Sequence, residues 1–311
     1  MGTIEDIKSF YTSTHKNKIF CTRLNVDGKE FDILYDYDKE NEVQKFVENF
    51  TEYLPYYAYC DELLECVNTA GDISKELSDL SKKAWNGTII PKRPVAQNGI
   101  YGEVFLDFYE RIIRGAKTAI TYASKRAYNN NGEAKGFDSV LFEMVNNKVG
   151  LVLAEAKFVS AKNAASNELV KDIVGEPQQG QNPARPGHIT KEFINRYIEF
   201  VAEKNIQLTG SDKKTFKDFV DEINDVLMKG NRDFVSFLID KNVHVKCVFF
   251  AIFQNFNNDP NYYIKEYDKI ETEAKKNLAS IGFTDYEIEI VFIPTNAKSM
   301  VIKGAIDYFY A

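Results

Sequence analysis

The sequence predicts an α/β fold with a mixed central sheet, preceded by an N-terminal α+β accessory region. Three observations carry this. From Gly136 onward, runs of strand character alternate with runs of helical period. Among them, Val149 to Ala154 is a continuous apolar stretch of the kind a central strand shows. Segment 86–99 is rich in turn formers (Gly87, Pro91, Pro94, Gly99) and places a boundary near residue 95. The expected division is 1–95 for the accessory region and 96–311 for the main domain, with a helical insertion around 188–240.

In chain order, Lys18 to Val26 and Lys29 to Tyr37 are β-rich runs meeting at Asp27-Gly28, a two-residue hairpin signal. Glu42 to Val67 has helical spacing at Phe46, Val47, Phe50, Tyr53 and Leu54, with Pro55 expected to interrupt it. A helix is expected over Ile73 to Trp85 and another over Gly102 to Arg114. Thr118 to Tyr128 reads as a short strand or irregular segment, and 129–132 as a turn. Gly136 to Val145 and Lys148 to Phe158 read as strands joined by a tight turn at Asn146-Asn147. A helix follows over Ala161 to Val174, then a long Pro- and Gly-rich loop, Glu176 to Gly187, of a length often tied to function or disorder. Helices near Lys191 to Asn205 and Lys213 to Met228, a strand His244 to Gln254, a helix Ile264 to Ser280, a strand Tyr286 to Ile293 and a helix Lys298 to Tyr310 complete the series.

Composition narrows the function. With 311 residues, 44% apolar and 27% charged, the chain can bury a sizeable core. Met1 to Phe10 has no apolar h-region and no run reaches membrane-spanning length, so a cytoplasmic protein with no membrane partner is expected. Cys21, Cys60, Cys66 and Cys247 form no CxxC, and the only histidines are His15, His188 and His244, which argues against structural zinc and for reduced thiols. The net charge of −7 argues against a freestanding, non-specific DNA binder. Yet residues 111–135 hold six cations (Arg111, Arg114, Lys117, Lys125, Arg126, Lys135) against Glu133 alone, a net +5. Such an island suits a local phosphate contact, against the plainer reading of a solvated helix face.

The chemistry concentrates in Glu155-Ala156-Lys157. Residues two apart on a strand share a face, so Glu155 and Lys157 project together from the end of an apolar strand, where both are costly to bury unless they are paired or bind something. Glu155 offers a hard oxygen ligand to a divalent cation; Lys157 can orient a water or steady negative charge on a phosphoryl group. A hairpin turning at Asn146-Asn147 sets Asp138 opposite Glu155. Like charges placed so repel, and a bound Mg²⁺ would turn that penalty into a site. Glu103, on the preceding helix, could support the metal shell, or could simply complement the helix dipole behind Gly102. Lys125 and Arg126 are candidates for nucleic-acid contact, with a plain surface role for Lys125 as the rival. His188 reads as a surface-loop histidine. Tyr262, Tyr263 and Tyr267 could stack bases but suit packing better. There is no phosphate-cradling GxGxxG or P-loop and no GxSxG elbow.

The order of Glu103 on a helix, Gly136-Phe137-Asp138, then Ala154-Glu155-Ala156-Lys157 resembles the PD-(D/E)xK nuclease superfamily. From Gly102 to Glu176 the chain is similar to the DUF1837 family, which includes HamA, the nuclease subunit of the bacterial Hachiman anti-phage system. The likeness lies in Gly102-Glu103, Ala123-Ser124-Lys125, Gly136-Phe137-Asp138 and Glu155-Ala156-Lys157, and covers the middle quarter of the chain. Where the family has glycine before the glutamate, this chain has Ala154. The resemblance implies a restriction-endonuclease-like core, with the family's acidic pair at Asp138 and Glu155 and its lysine at Lys157. It also implies a superfamily 2 helicase partner (HamB-like) that senses phage or damaged DNA and restrains the nuclease until ATP-driven activity releases it, for DNA degradation and an abortive response. The expectation is a Mg²⁺- or Mn²⁺-dependent DNA endonuclease in which Asp138 and Glu155 bind metal, Lys157 positions the attacking water and Glu103 supports the shell. The rival is a non-catalytic nuclease-fold module that docks a helicase or DNA.

Overall fold

A computed structural model describes residues 4–13, 22–26, 29–33, 42–59, 67, 71–86, 99–115, 118–120, 137–146, 148–159, 164–177, 179, 184–203, 208–209, 213–231, 233–253, 259–295 and 298–310. The elements are α1 (Ile4–Tyr11), β1 (Thr22–Val26), β2 (Lys29–Ile33), α2 (Glu42–Ala58), α3 (Ile73–Asn86), α4 (Gly99–Phe108) running into a π-helical turn (Tyr109–Ile113), and β3 (Thr118–Ile120). They continue with β4 (Ser139–Val145), β5 (Lys148–Val159), α5 (Ala164–Val174), β6 (Gly175–Glu176), β7 (Arg185–Pro186), α6 (Lys191–Glu203) and β8 (Leu208–Thr209). The last are α7 (Lys213–Met228), α8 (Phe234–Asp240), β9 (His244–Phe253), α9 (Pro260–Ile281), β10 (Tyr286–Pro294) and α10 (Lys298–Tyr310).

The predicted mixed α/β architecture is observed. The sheet has eight strands in the order β1-β2-β10-β9-β5-β4-β3-β8. The β2-β10-β9-β5 pairings are parallel and those from β5 through β4 and β3 to β8 antiparallel. Period-two alternation sends successive side chains to opposite faces, and two cores result. Val152, Ala154, Ala156 and Phe158 of β5, with Val248, Phe250 and Ile252 of β9, pack beneath α1–α4 and α10. Leu151 and Leu153 of β5, with Cys247, Phe249 and Ala251 of β9, pack beneath α5–α9. The helices are stitched by aromatic contacts: Phe50 of α2 stacks on Tyr101 of α4, and Trp85 of α3 lies flat on Phe309 of α10 at 4.4 Å between centroids.

Both hairpin signals produce hairpins. Val26 pairs with Lys29 and Val145 with Lys148, leaving two-residue turns, and Asn146 has φ +49°, as the first residue of a type I′ turn requires. Pro55 does not interrupt α2; it sits inside it, three residues from its end. Only the Thr51 carbonyl loses its helical donor there, and Leu54 and Tyr56, both fully buried, hold the turn in place. The helix ends at Ala58, and residues 60–66 of the expected helical run lie outside the described residues. The helix α9 starts at Pro260 because Asp259 caps it, its side chain accepting from the Asn261 N–H at 3.0 Å, and it stops at Gly282, whose φ is +100°. Helices α1 and α8 were not expected; both are short, eight and seven residues, too brief for a clear period. Within the long loop Glu176–Gly187, β6 and β7 form a two-residue antiparallel ladder, Gly175 with Pro186 and Glu176 with Arg185. The boundary near residue 95 and the turn at 129–132 lie outside the described residues. Among the described residues no helix is long and apolar enough to cross a membrane.

Phe249 and Phe250 are adjacent, 1% and 0% exposed, and serve different cores. Truncating either to alanine is expected to lower stability by about 3–5 kcal/mol, read from urea unfolding. A change below ~1 kcal/mol at one of them would show that its layer is not packed.

Candidate functional site

The site forms where β5 outruns its antiparallel neighbour. The β4–β5 ladder closes at Ser139 and Ala154, in the register of a turn centred on residues 146–147. One residue further along, Asp138 stands opposite Glu155, and its Oδ2 accepts the Ala156 N–H at 2.8 Å. The Asp138 carboxylate thus continues the ladder with a side-chain bond and is held beside the end of the strand. On its other edge β5 stays paired with β9 through Val159.

Glu155 and Lys157 point to the face covered by α5. Glu155 is 3% exposed. The Lys157 ammonium lies 2.8 Å from Glu155 Oε1 and pairs also with Asp172 Oδ2, from α5. The other Glu155 oxygen, Oε2, lies 3.1 Å from His188 Nδ1. Arg185 Nη2 donates to Asp172 Oδ1 at 2.6 Å. His188 is fixed from every side: its backbone N–H donates to the Asp172 carbonyl at 2.5 Å, its ring stacks on Phe193 at 4.4 Å, and Phe137 meets it edge-on. One donor atom from each of Glu155, Asp172 and His188 lies within 4.8 Å of the others, so these three could hold a metal ion.

The electrostatics follow from burial and crowding. Burial, with the carboxylates of Glu155 and Glu103, pushes the Asp138 carboxyl well above the usual carboxylate range. Burial would raise Glu155 too, but the Lys157 ammonium and the bond from His188 overcome it and hold Glu155 at about 2. Burial would strip the Lys157 proton; Glu155, Asp138 and Asp172 overcome that and keep it charged. Burial and Glu155 raise Asp172, with Lys157 acting against them. At Asp138 burial and the neighbouring carboxylates outweigh Lys157 and the Ala156 N–H.

The family model for HamA matches residues 9–308. The chain belongs to the HamA family. Membership makes it a component of Hachiman anti-phage defence. No curated protein matches it.

In this HamA-family chain the remaining expected residues divide. Glu103 lies a full turn inside α4, which begins at Gly99, so the helix dipole does not explain it; its Oε2 accepts from the Tyr57 hydroxyl at 2.6 Å, and its charge acts on Asp138. The helix α4 packs on the other face of β5, with Gly102 against Ala156 and Phe158. The basic island is not one surface. Arg111 is buried, stacked on Tyr56 and paired with Asp107, and Arg114 pairs with Glu289 at 3.0 Å. Lys117, Lys125, Arg126 and Lys135 lie outside the described residues. Tyr263 and Tyr267 are buried, and Tyr262 is packed against the same core, as the packing reading has it.

The surface reading of His188 is wrong: the residue is 9% exposed and bonded to Glu155. No pairing rule reaches it, because the geometry comes from a loop folded onto α5. Asp172 did leave a signal. It falls in the apolar stripe of α5 with Ala165, Leu169 and Ile173, and a lone acid on a buried stripe is a polar group in need of a partner.

Asp138→Asn tests the balance at Asp138. Asparagine keeps an oxygen for the Ala156 N–H and removes the repulsion with Glu155. A carboxyl whose folded pKa is raised contributes most favourably below its unfolded value, 3.8, and that contribution is lost as pH rises toward the folded value. The variant is thus expected to match the parent near pH 3.8 and to exceed it by roughly 1 kcal/mol at alkaline pH in EDTA. Thermal unfolding at the two pH values decides it; a variant less stable at alkaline pH would contradict the account.

Proposed function

We propose that this chain is the metal-dependent deoxyribonuclease of its defence system, a cytoplasmic PD-(D/E)xK-type enzyme that acts with, and is held inactive by, a superfamily 2 helicase. One observation carries the reading: Asp138 and Glu155 converge at the end of a buried strand with Lys157 beside them, so two carboxylates and a lysine meet in one place.

The donor set fits a hard divalent cation. Asp138 and Glu155 present carboxylate oxygens, the ligands Mg²⁺ and Mn²⁺ favour, and a cation there would relieve the repulsion that, after burial, raises the Asp138 carboxyl. Glu155, Asp172 and His188 each offer a donor atom within 4.8 Å of the others, so Asp172 and His188 could share an ion held by Glu155. When bound, Mg²⁺ or Mn²⁺ would supply Lewis acidity toward a phosphoryl oxygen and lower the pKa of a coordinated water.

The chain's own residues then act as follows. Lys157, fixed by Glu155 and Asp172, keeps its proton and presents Nζ to position the attacking water and to steady charge developing on the phosphoryl oxygens. Glu155 anchors Lys157 through Oε1 and His188 through Oε2, so its orientation does not wander. Asp138 is aimed by the Ala156 N–H. Glu103, held by Tyr57, adds negative charge near Asp138 and so strengthens its demand for a cation. A net charge of −7 gives the chain little long-range attraction for DNA, which suits delivery of the substrate by a partner.

Cleavage of plasmid DNA by the chain with its helicase tests this. Glu155→Ala and Lys157→Ala are each expected to lower the rate by roughly 10²–10³-fold or more, with circular dichroism and melting showing a folded protein. EDTA should stop the parent and Mg²⁺ or Mn²⁺ restore it. Undiminished cleavage by both variants would overturn the assignment and favour a docking module.

A further inference from the structure

Asp172 stands out because it uses both oxygens on two different cations. Oδ1 accepts from Arg185 at 2.6 Å and Oδ2 pairs with Lys157. Asp172 is 2% exposed, whereas the Arg185 side chain is 50% exposed, so the carboxylate is enclosed and the guanidinium opens to solvent.

The position of Arg185 is built into the backbone. It pairs with Glu176 in the short β6–β7 ladder, directly after the helix that carries Asp172. Gly175 has φ +87°, and a Cβ on it would strike the Arg185 carbonyl oxygen; a Cβ on Gly187 would strike the carbonyl oxygen of Ile173. Only glycine at both places lets residues 185–187 lie against the end of α5. The His188 N–H then bonds the Asp172 carbonyl and closes the arrangement.

Two cations that converge on one carboxylate also match a phosphate. A guanidinium fork receives carboxylate and phosphate oxygens alike, and an ammonium serves as a point charge for either. We propose that Lys157 and Arg185 form the phosphodiester-binding pair of the site, and that Asp172 occupies it in the resting chain as an internal phosphate mimic. This rests on the nuclease reading and adds a residue to it, Arg185, together with a self-occupied state. A DNA phosphate must displace Asp172 from the two cations before it can be held, so the isolated chain binds DNA weakly even where its strand is correctly built. The half-exposed guanidinium is the group the incoming phosphate meets first.

The test is the affinity of the full chain for a fluorescein-labelled DNA duplex, by anisotropy over a series of salt concentrations in EDTA, so that no effect passes through a metal. Arg185→Ala is expected to weaken binding roughly 3–10-fold and to reduce the slope of log affinity against log salt by about 1, the mark of one lost phosphate contact. Arg185→Lys should recover part of the affinity, since it keeps the charge without the fork. Asp172→Asn, similar in size but uncharged, should tighten binding at least roughly threefold by releasing both cations, and the double variant Asp172→Asn with Arg185→Ala should lose that gain. Arg185 is half-exposed, so its variants report even where Asp172→Asn unfolds; circular dichroism checks each protein. An Arg185→Ala chain with unchanged affinity and slope overturns the proposal, as does a folded Asp172→Asn chain that binds no tighter, or absence of binding by both the parent and Asp172→Asn at low salt. Loss of cleavage in Glu155→Ala alongside unchanged binding in the Arg185 variants would sink this inference and leave the nuclease reading standing. The expected binding changes without cleavage by the metal-loaded chain and its helicase would do the reverse.

Discussion

A strand covered on both faces, with one edge paired and the other closed off by a carboxylate, leaves a charge little access to water. Moving a carboxylate or an ammonium into such a place costs several kcal/mol per ion even after relaxation. Strand β5 carries one of each near its end, and much of the surrounding construction follows from that. Lys157 needs the two carboxylates it touches; Glu155 needs Lys157 on one oxygen and His188 on the other; Asp172 needs Arg185 as well as Lys157. Removing one partner leaves an uncompensated buried charge. The ions therefore bind β5, α5 and the loop ending at His188 into one arrangement, in the way a set of apolar contacts would not, since apolar contacts tolerate sliding.

The opposite face of β5 is built to the contrary rule. Ala154 and Ala156 are small and buried, and Gly102 lets α4 come close above them. Ala154 stands directly before Glu155. Its methyl is fully buried in the core beneath α4 and points away from Glu155 and Lys157, so it adds packing without entering the site. One strand thus divides its labour by parity. Even-numbered residues fix its height against the helices, and odd-numbered ones present the ions.

That parity is why so much is legible in the sequence. Glu155 and Lys157 share a face because they are two apart, and Asp138 comes to Glu155 because Asn146 can take a positive φ and close a two-residue turn. These are local rules acting over a short hairpin. Pro55 misleads because its neighbours are buried well enough to carry a missing hydrogen bond, so tertiary packing overrides a local penalty. His188 is illegible for a different reason. It enters the site through two glycines that press a loop onto α5, and no period or pairing rule encodes where a loop lands. Net charge along a segment ignores direction, so the basic island does not show that Arg111 and Arg114 pair with Asp107, Tyr56 and Glu289.

A second buried ionic group, on the opposite face of the sheet and nearer the amino ends of β9 and β10, offers a contrast. Lys246 lies 2.6 Å from Glu289 and 3.2 Å from Glu287, Arg114 pairs with Glu289, and the Tyr109 hydroxyl donates to the same carboxylate at 2.5 Å. There the carboxylate at the centre is held below its usual range, because its cations outweigh its burial. Its neighbour Glu110 is pushed up to about 8 by burial and by Glu289, so it stays protonated at neutral pH and adds no charge. That group closes on itself and pins the π-helical turn to the amino ends of β9 and β10. In the group at the end of β5, Asp138 is aimed by a backbone bond at a place where a second carboxylate already stands, and burial with Glu155 raises its carboxyl. It also lies toward the carboxyl ends of the parallel strands, where open α/β sheets receive their ligands. Two clusters of similar composition thus differ in balance and in position: burial and neighbouring carboxylates raise Asp138, whereas cations hold Glu289 low.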